Sequence, residues 1–288
     1  MKDFVKMVYR KILKKLPTKV VLNLDYFKGY HRFVNFKKPK YFGEKIQYLK
    51  LYGNLEKYKK YVDKYEVRKY IKNTIGEKYL IPLIGVYKNT NEIDYNLLPN
   101  KFVLKLNTGS GYNIVVTDKS RLDINKANKK LNRWIKEDFA SVHKEPQYKN
   151  INIKILCEQF MSGDSEELTD YKFFCFNGIP KFCQVIQGRN TKETIDFYDM
   201  KWEHQEFNGL GKFKMANDCK KPANFDEMVN ISKKLCKEFD FVRVDLYDIG
   251  NKVYFGELTF TPADGAGAFY PIEYDLKIAS LLKVGDKK

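Results

Sequence analysis

Cysteine is scarce in this 288-residue chain: five residues, Cys157, Cys175, Cys183, Cys219 and Cys236, an odd number with no C-x-x-C pair. That excludes a disulfide framework and a zinc site of ordinary spacing, and it reads as a reducing compartment. No stretch approaches about eighteen consecutive apolar residues, and the N-terminus lacks the apolar core of a secretory signal. The chain is therefore read as cytoplasmic. Internal repeats, low-complexity tracts and heptads are also missing. His31, His143 and His204 stand far apart with no partner at a diagnostic spacing, so no Ser/His/Asp relay is legible, and a lone histidine such as His204 reads as structural. Acidic residues are outnumbered, 36 against 53 Lys plus Arg, which gives +17. Such a surface attracts polyanions, whether nucleic acid, anionic lipid, nucleotide or acidic polysaccharide, and charge alone does not choose among them. With 43% apolar and 15% aromatic residues, disorder is excluded and one large or two small domains are expected.

Phe4, Val8, Ile12 and Leu16 recur at helical spacing among Lys6, Arg10, Lys11, Lys14 and Lys15, which predicts a basic amphipathic helix ending at Pro17. It suits peripheral contact with an anionic inner leaflet, each basic residue adding about 1 kcal/mol. Packing on its own domain is the plainer alternative. Residues up to about 62 read as helices and basic loops, with Ile46 and Leu49 forming a short amphipathic stretch before Gly53. Helical periodicity resumes over Asp63–Tyr70, and Ile81–Tyr87 feeds a strand. Phe102, Leu104 and Leu106 share one face of a strand from which Lys105 projects on the other. Thr108-Gly109-Ser110-Gly111 follows, small residues whose amides suit a phosphate, though not a Walker A loop. A strand through Ile114–Val116, a helix over 124–138 and a strand over Ile153–Phe160 come next. Asn177-Gly178 closes a hairpin spanning Asp170–Gln187, where Pro180 argues for an edge position. A helix over 225–239 starts at Asn224, with Glu227 suggesting a capping box. This mixture predicts an α+β fold.

Two alternating strands over Phe241–Thr261 flank the turn Asp248-Ile249-Gly250-Asn251. Val242, Val244 and Leu246 face one way, leaving Arg243 and Asp245 on the other, while Val253, Phe255, Glu257 and Thr259 are expected on one face. Closure around Ile249–Asn251 sets Asp245 opposite Glu257 and Arg243 opposite Thr259. Like charges directly opposed destabilise a sheet. A hard divalent cation with phosphate ligands would relieve the pair, and so would a neutralising arginine.

Asp63-Lys64, Lys105 before Thr-Gly-Ser-Gly, Glu158-Gln159-Phe160, Arg243-Val244-Asp245 and Gly256-Glu257-Leu258-Thr259 follow one another over about 200 residues in the order and spacing of an ATP-grasp ligase. The set is similar to D-alanine:D-alanine ligases in outline and more closely resembles the TupA-like branch, associated with teichuronopeptide and surface-polysaccharide assembly. The resemblance implies an ATP-grasp fold: a helical basic N-terminal region over 1–60, a subdomain over 61–160 and a second over 161–288, the two subdomains clasping a nucleotide. It implies that Lys64 and Lys105 reach the α- and β-phosphates, that Thr108, Gly109, Ser110 and Gly111 cover the β- and γ-phosphates, and that Glu158, Gln159 and Phe160 meet the adenine. Asp170 aligns with a ribose contact, after an insertion over Asp164–Leu168, and Lys172 with a further phosphate contact. Asp245 and Glu257 match two Mg²⁺ ligands, Thr259 stands where the family commonly has Asn, and Arg243 matches the arginine that stabilises the transferred phosphoryl group.

The implied cofactors are ATP and Mg²⁺, and the implied reaction is amide formation between a carboxylate and an amine through an acylphosphate. An acidic saccharide, such as a hexuronic acid of a capsular polymer, and an amino acid are the expected partners, with no specific nucleic acid. Ala263–Ala268 occupies the place of a substrate loop, and Arg189 could bind an acidic group or simply lie on the surface. The alternatives are a glycosyltransferase of polysaccharide synthesis and an ATP-grasp kinase that stops at phosphoryl transfer.

Overall fold

The computed structural model describes residues 2–162, 168–188, 191–211, 214–217 and 219–285, with side chains from Val8 onward. Arg189, the segment 164–167, Phe4 and Lys6 lie outside those descriptions. Three helices open the chain, α1 (Lys2–Lys15), α2 (Thr18–Tyr30) and α3 (Phe42–Tyr52), followed by the short α4 (Lys59–Val62) and α5 (Val67–Thr74). A first group comprises β1 (Leu83–Tyr87), β2 (Phe102–Leu106), β3 (Asn113–Val116), α6 (Ile124–Ile135), α7 (Phe139–His143) and β4 (Ile155–Gln159). A second comprises β5 (Asp170–Phe176), β6 (Ile179–Gln187), β7 (Thr194–Asp199), β8 (Asn208–Gly209), α8 (Phe225–Cys236), β9 (Phe241–Ile249), β10 (Lys252–Thr259), β11 (Phe269–Tyr270) and α9 (Ile272–Ser280).

The strands form two main antiparallel sheets, ordered β1-β4-β2-β3 and β10-β9-β5-β6-β7. Leu80, three residues before β1, bridges to Phe255 of β10. Apolar residues on both faces of the second sheet explain why β5 reads as an almost continuous hydrophobic run: each of its seven positions is buried. One face, with Tyr171, Phe173, Val242 and Val244, packs on Met228, Ile231 and Leu235 of α8 and takes in Tyr61, Val67 and Ile71. The other, with Phe174, Phe176, Phe182 and Phe241, packs on Phe42 and Ile46 of α3 and on Phe269 and Ile278. Residues from the N-terminal third therefore insulate both sides of the sheet that carries the opposed acids.

The β9–β10 register pairs Asp245 with Glu257 and Arg243 with Thr259, as the sequence predicts, but by a different route. The strands stop at a two-residue link, Gly250-Asn251, and the register slips between Phe255 and Glu257. The extra residue, Gly256, is a bulge, and it reverses the parity of everything after it. Val253 and Phe255 accordingly join the core with Leu258 and Phe260, while Glu257 and Thr259 turn to the opposite face, so the single face expected for all four residues does not exist. Pro180 is likewise not on an edge strand, because β6 lies between β5 and β7. It is tolerated because the β7 ladder begins only at Phe182, and Pro180 pairs with Cys175 beside a register shift. Asn224 makes no cap bond to its helix; its Nδ2 donates to Asp248 Oδ1 at 2.9 Å instead.

α1 packs through Leu13, which is buried, with ion pairs from Arg10 to Glu137 and from Lys14 to Asp138 at 3.0 Å. Ile12, expected on the packed stripe, is 53% exposed. α2 runs against the loop over 263–268. A Cβ on Gly29 would stand 1.7 Å from the Ala266 carbonyl oxygen, a backbone group that cannot swing aside. Gly29→Ala is therefore expected to cost at least about 2 kcal/mol through overpacking, read as a lower urea midpoint; an unchanged midpoint would show that α2 is not fixed on that loop. All five cysteines are buried and none is in a disulfide, and no helix among the described residues is long and apolar enough to cross a membrane.

Candidate active site

Successive cross-strand pairing across β6, β5, β9 and β10 sets Gln184, Lys172, Asp245 and Glu257 in one row, and directly paired residues share a sheet face. The next row carries Phe174, Arg243 and Thr259. The polar residues lock together. Lys172 Nζ lies 2.5 Å from Asp245 Oδ2 and 3.2 Å from Asp170 Oδ1. Arg243 donates from Nε to Asp245 Oδ1 and from Nη2 to Oδ2, both at 2.7 Å, a forked pairing that fixes both groups. The same Nη2 reaches Thr259 Oγ1 at 3.1 Å and Glu257 Oε1 at 3.3 Å, and the Thr259 hydroxyl donates to Glu257 Oε1 at 2.9 Å.

The repulsion between the opposed acids is thus relieved by two side-chain cations within the protein, without requiring a metal for that purpose. Burial opposes ionisation of Glu257, yet Lys64, Arg243 and Lys172 hold its carboxyl down to about 2. Its side chain nevertheless keeps 38% of its surface open. Arg243 shows the same competition: burial works against its charge, and Asp245 overrides it, pushing its pKa up. Asp245 itself is 2% exposed and fully engaged.

The other wall comes from the first sheet and the α4–α5 turn. Asp63 opens that turn by accepting from the amides of Tyr65 and Glu66, so helix α5 begins four residues later than the periodicity suggests. Asn107 Nδ2 donates to Asp63 Oδ2 at 2.9 Å, and the Lys64 amide donates to the Asn107 carbonyl at 2.8 Å. The turn is thereby bolted to the end of β2, and Lys64 Nζ reaches the Gly109 carbonyl at 2.6 Å. Burial pulls the Lys64 ammonium below its ordinary value, with Glu257 opposing and Lys105 reinforcing that shift. Lys64 is therefore the residue at which the two walls meet.

Gly109 and Gly111 hold left-handed φ values of 69° and 75°, which favour glycine. Ser110 and Gly111 are exposed at the tip while Thr108 and Gly109 are buried. Lys105 is not a solvated strand lysine: its Nζ lies 2.5 Å from Glu158 Oε2. Arg68 Nη1 approaches the other Glu158 oxygen at 3.8 Å. Glu158, expected at the adenine edge, is thus engaged by two cations. Gln159 is paired with Phe102 at the end of β4 and is exposed; Phe160 is partly buried, with the Lys101 ammonium 5.9 Å from its ring centroid. These two residues lie outside the ion-pair cluster.

Sequence reasoning missed Arg68 and Gln184. Gln184 is 2% exposed, and its Nε2 donor is buried without a partner. Only the β5–β6 register, which places it beside Lys172, reveals it. An unpaired donor opposite Lys172, in the same ion-pair network as Arg243, suits a polyanion. The open Glu257 carboxylate and the Thr259 hydroxyl supply hard oxygen donors, the chemistry that Mg²⁺ accepts alongside phosphate. The residues therefore fit a triphosphate with a hard divalent cation.

A family model described as TupA-like ATPgrasp matches residues 44–283. No curated protein matches the sequence. Among solved structures, the chain is similar to D-alanine–D-alanine ligase from Bacillus anthracis, at 14% identity over 77% of this chain and 65% of that one, TM-score 0.43. It is also similar to D-alanine–D-alanine ligase from Helicobacter pylori, at 16% identity over 84% and 69%, TM-score 0.40. For N5-carboxyaminoimidazole synthase from Aspergillus clavatus the figures are 12%, 70% and 44%, with TM-score 0.40. The chain thus spans less than two thirds of the length of the first and the third of these enzymes. With the family match running from α3 to beyond α9, the chain belongs to the TupA-like ATP-grasp family.

Proposed function

We propose that this protein is an ATP-dependent carboxylate–amine ligase working through an acylphosphate, and that it joins an amine, such as an amino acid, to a hexuronic acid of a surface polysaccharide. The observation that carries the reading is the alternating charge network Asp170–Lys172–Asp245–Arg243–Glu257 facing Lys64. It offers fixed cations for a polyphosphate and open oxygens for a hard cation on one cleft floor. Lys64, Lys105, Lys172 and the loop 108–111 bind the phosphates, and Asp170 the ribose. Glu158, Gln159 and Phe160 stay assigned to the nucleotide end, with Glu158 acting through Lys105 and Arg68. The division at residues 60 and 160 belongs to the same proposal, the first sheet closing over the second.

Arg243 is held rigidly by Asp245 and attracts the negative charge of the phosphoryl group in flight, with no reorganisation needed at that moment. A carboxylate oxygen of the first substrate attacks the γ-phosphorus, and the bond to the bridging oxygen breaks, that oxygen leaving with ADP. The amine nitrogen then attacks the acyl carbon and phosphate departs with the C–O electron pair. Glu257, Thr259 and Asp245 would hold Mg²⁺, which supplies neutralisation of triphosphate charge.

Incubation of the protein with ATP, MgCl₂, a panel of hexuronic acids and hydroxylamine, which traps acylphosphates, should yield ADP and hydroxamate together. With amino acids replacing hydroxylamine, amide should form. ADP release with a stable phosphorylated sugar and no hydroxamate would make the protein a kinase instead.

The N-terminal surface supports the membrane part of the reading. Tyr9, Ile12, Val20, Leu24, Phe27 and Phe33 are all more than 40% exposed on two helices and a turn carrying Lys11, Lys15, Lys19 and Arg32. Binding to vesicles containing phosphatidylglycerol should fall at least tenfold in Phe27→Asp and Phe33→Asp, and disappear with neutral lipid; equal binding to neutral vesicles would remove this role.

A further inference from the structure

A second buried polar cluster lies beyond the proposed metal ligands, where three distant parts of the chain converge. His143 ends α7 and Glu145 follows it, Thr261 and Asp264 come from the loop after β10, and Gln47 and Lys50 from α3. The ligand atoms of His143, Glu145 and Asp264 lie within 4.8 Å of one another. Thr261 Oγ1 donates to Glu145 Oε1, and Gln147 Nε2 reaches Thr261 Oγ1 at 2.9 Å and Glu145 Oε1 at 3.3 Å. Gln47 Nε2 donates to the Asp264 carbonyl at 2.8 Å. Asp264 is compensated by an ion pair with Lys50 and by His143 Nδ1 at 3.3 Å.

What remains is one carboxylate, that of Glu145, without a cation of its own. It is accompanied by two fully buried carboxamides whose oxygens, Gln47 Oε1 and Gln147 Oε1, have no partner. Buried acceptors left unpaired are costly. The deficit is of donors and of one positive charge, which is what a primary ammonium supplies: three N–H groups and a single charge.

We propose that this pocket binds the primary ammonium of the second substrate and that Glu145 accepts its proton, an inference that rests on the ligase reading above. The cluster follows the proposed phosphoryl-transfer residues closely along the chain. Thr259 Oγ1 touches Arg243 and Glu257, and Thr261, two residues on, touches Glu145; two residues of extended chain span about 6.6 Å. Tyr148 feels both sites, its phenol pushed up by burial and then by the charges of Glu145 and Glu257. Burial, reinforced by Asp264 and opposed by Lys50, Thr261 and His143, pushes the Glu145 carboxyl up to about 7, a range in which it can both accept and release a proton. In the step, the ammonium N–H bond breaks, its proton passes to Glu145, and the freed pair forms the C–N bond. The C–O bond to phosphate breaks, and the second nitrogen proton leaves with the phosphate. Gln47 and Lys50 make α3 part of the pocket, so the short N-terminal region completes it.

The test compares melting temperatures of the full chain in methylammonium chloride and tetramethylammonium chloride at equal ionic strength, and in zinc chloride. Methylammonium, which has three N–H donors, should raise the midpoint where tetramethylammonium does not, and Glu145→Gln should abolish the difference. If Glu145→Gln does not fold, Gln47→Met decides by the same comparison. Equal effects of the two salts on the wild type, a preference that survives the substitution, or a larger zinc effect lost in Glu145→Gln would each overturn the proposal. In the coupled assay, the amide-to-hydroxamate ratio should fall on the order of a hundredfold in Glu145→Gln; an unchanged ratio would also overturn it. A methylammonium preference in a protein that makes no hydroxamate from any hexuronic acid would leave the pocket standing and remove the ligase reading.

Discussion

Arg243→Met should lower ATP- and carboxylate-dependent hydroxamate formation by about a thousandfold, the upper end of the loss seen when one preorganised donor to a developing anion is removed. The magnitude follows from geometry. Both guanidinium contacts to Asp245 are at 2.7 Å, and one nitrogen also serves Glu257 and Thr259, so the charge is fixed before substrate arrives. Stability should fall too, because Asp245, with 3% of its side chain exposed, would keep only Lys172. Removing one partner of a buried pair costs about 3–5 kcal/mol, and the remaining lysine places the expected loss at the lower end. Arg243→Lys separates the effects. It returns a charge, and with it most of the urea midpoint, but not the forked geometry, so activity should stay at least tenfold down. Full activity in either variant would exclude Arg243 from the chemistry.

The pairing that supports this expectation was legible because an antiparallel hairpin has few degrees of freedom: a glycine-containing turn and two alternating strands leave only the register open. A three-residue turn over Ile249–Asn251 with no bulge gives the same Asp245–Glu257 pairing. The bulge at Gly256 supplies the same offset, and it alone explains why Val253 and Phe255 face away from Glu257. The cations around that pair were less legible, since Lys172 reaches Asp245 across 73 positions of chain and nothing local in its strand marks it as buried. The cluster around Glu145 was illegible for the same reason. His143 and Asp264 are 121 positions apart, and although Asp264 falls in the expected substrate loop, nothing in the sequence ties that loop to His143 or Glu145. Local periodicity predicts faces, whereas charge compensation in a cleft depends on which faces the topology brings together. His204, expected from the sequence to be structural, lies 3.2 Å from buried Asp196.

Lys105→Met is expected to reduce kcat/KM for ATP by about a hundredfold while barely changing stability, and the asymmetry comes from its partner. Glu158 is 6% exposed and held by Lys105 at 2.5 Å, with Arg68 at 3.8 Å as a second cation. Losing Lys105 leaves Glu158 a charge to lean on, so the cost should stay near 1 kcal/mol, well below that of an orphaned buried carboxylate. ATP, however, is expected to lose the phosphate contact proposed for Lys105, which Arg68, held at the Ile81 carbonyl, does not replace. Glu158→Gln provides the opposing test. If Lys105 must leave Glu158 to reach a phosphate, weakening the carboxylate should lower KM for ATP, or at least not raise it, whereas a purely structural pair would make both substitutions raise it together. Measuring KM for ATP in the two single variants and in the double variant closes the cycle. A double variant that behaves like Lys105→Met alone would show that Glu158 acts on nucleotide binding only through that lysine.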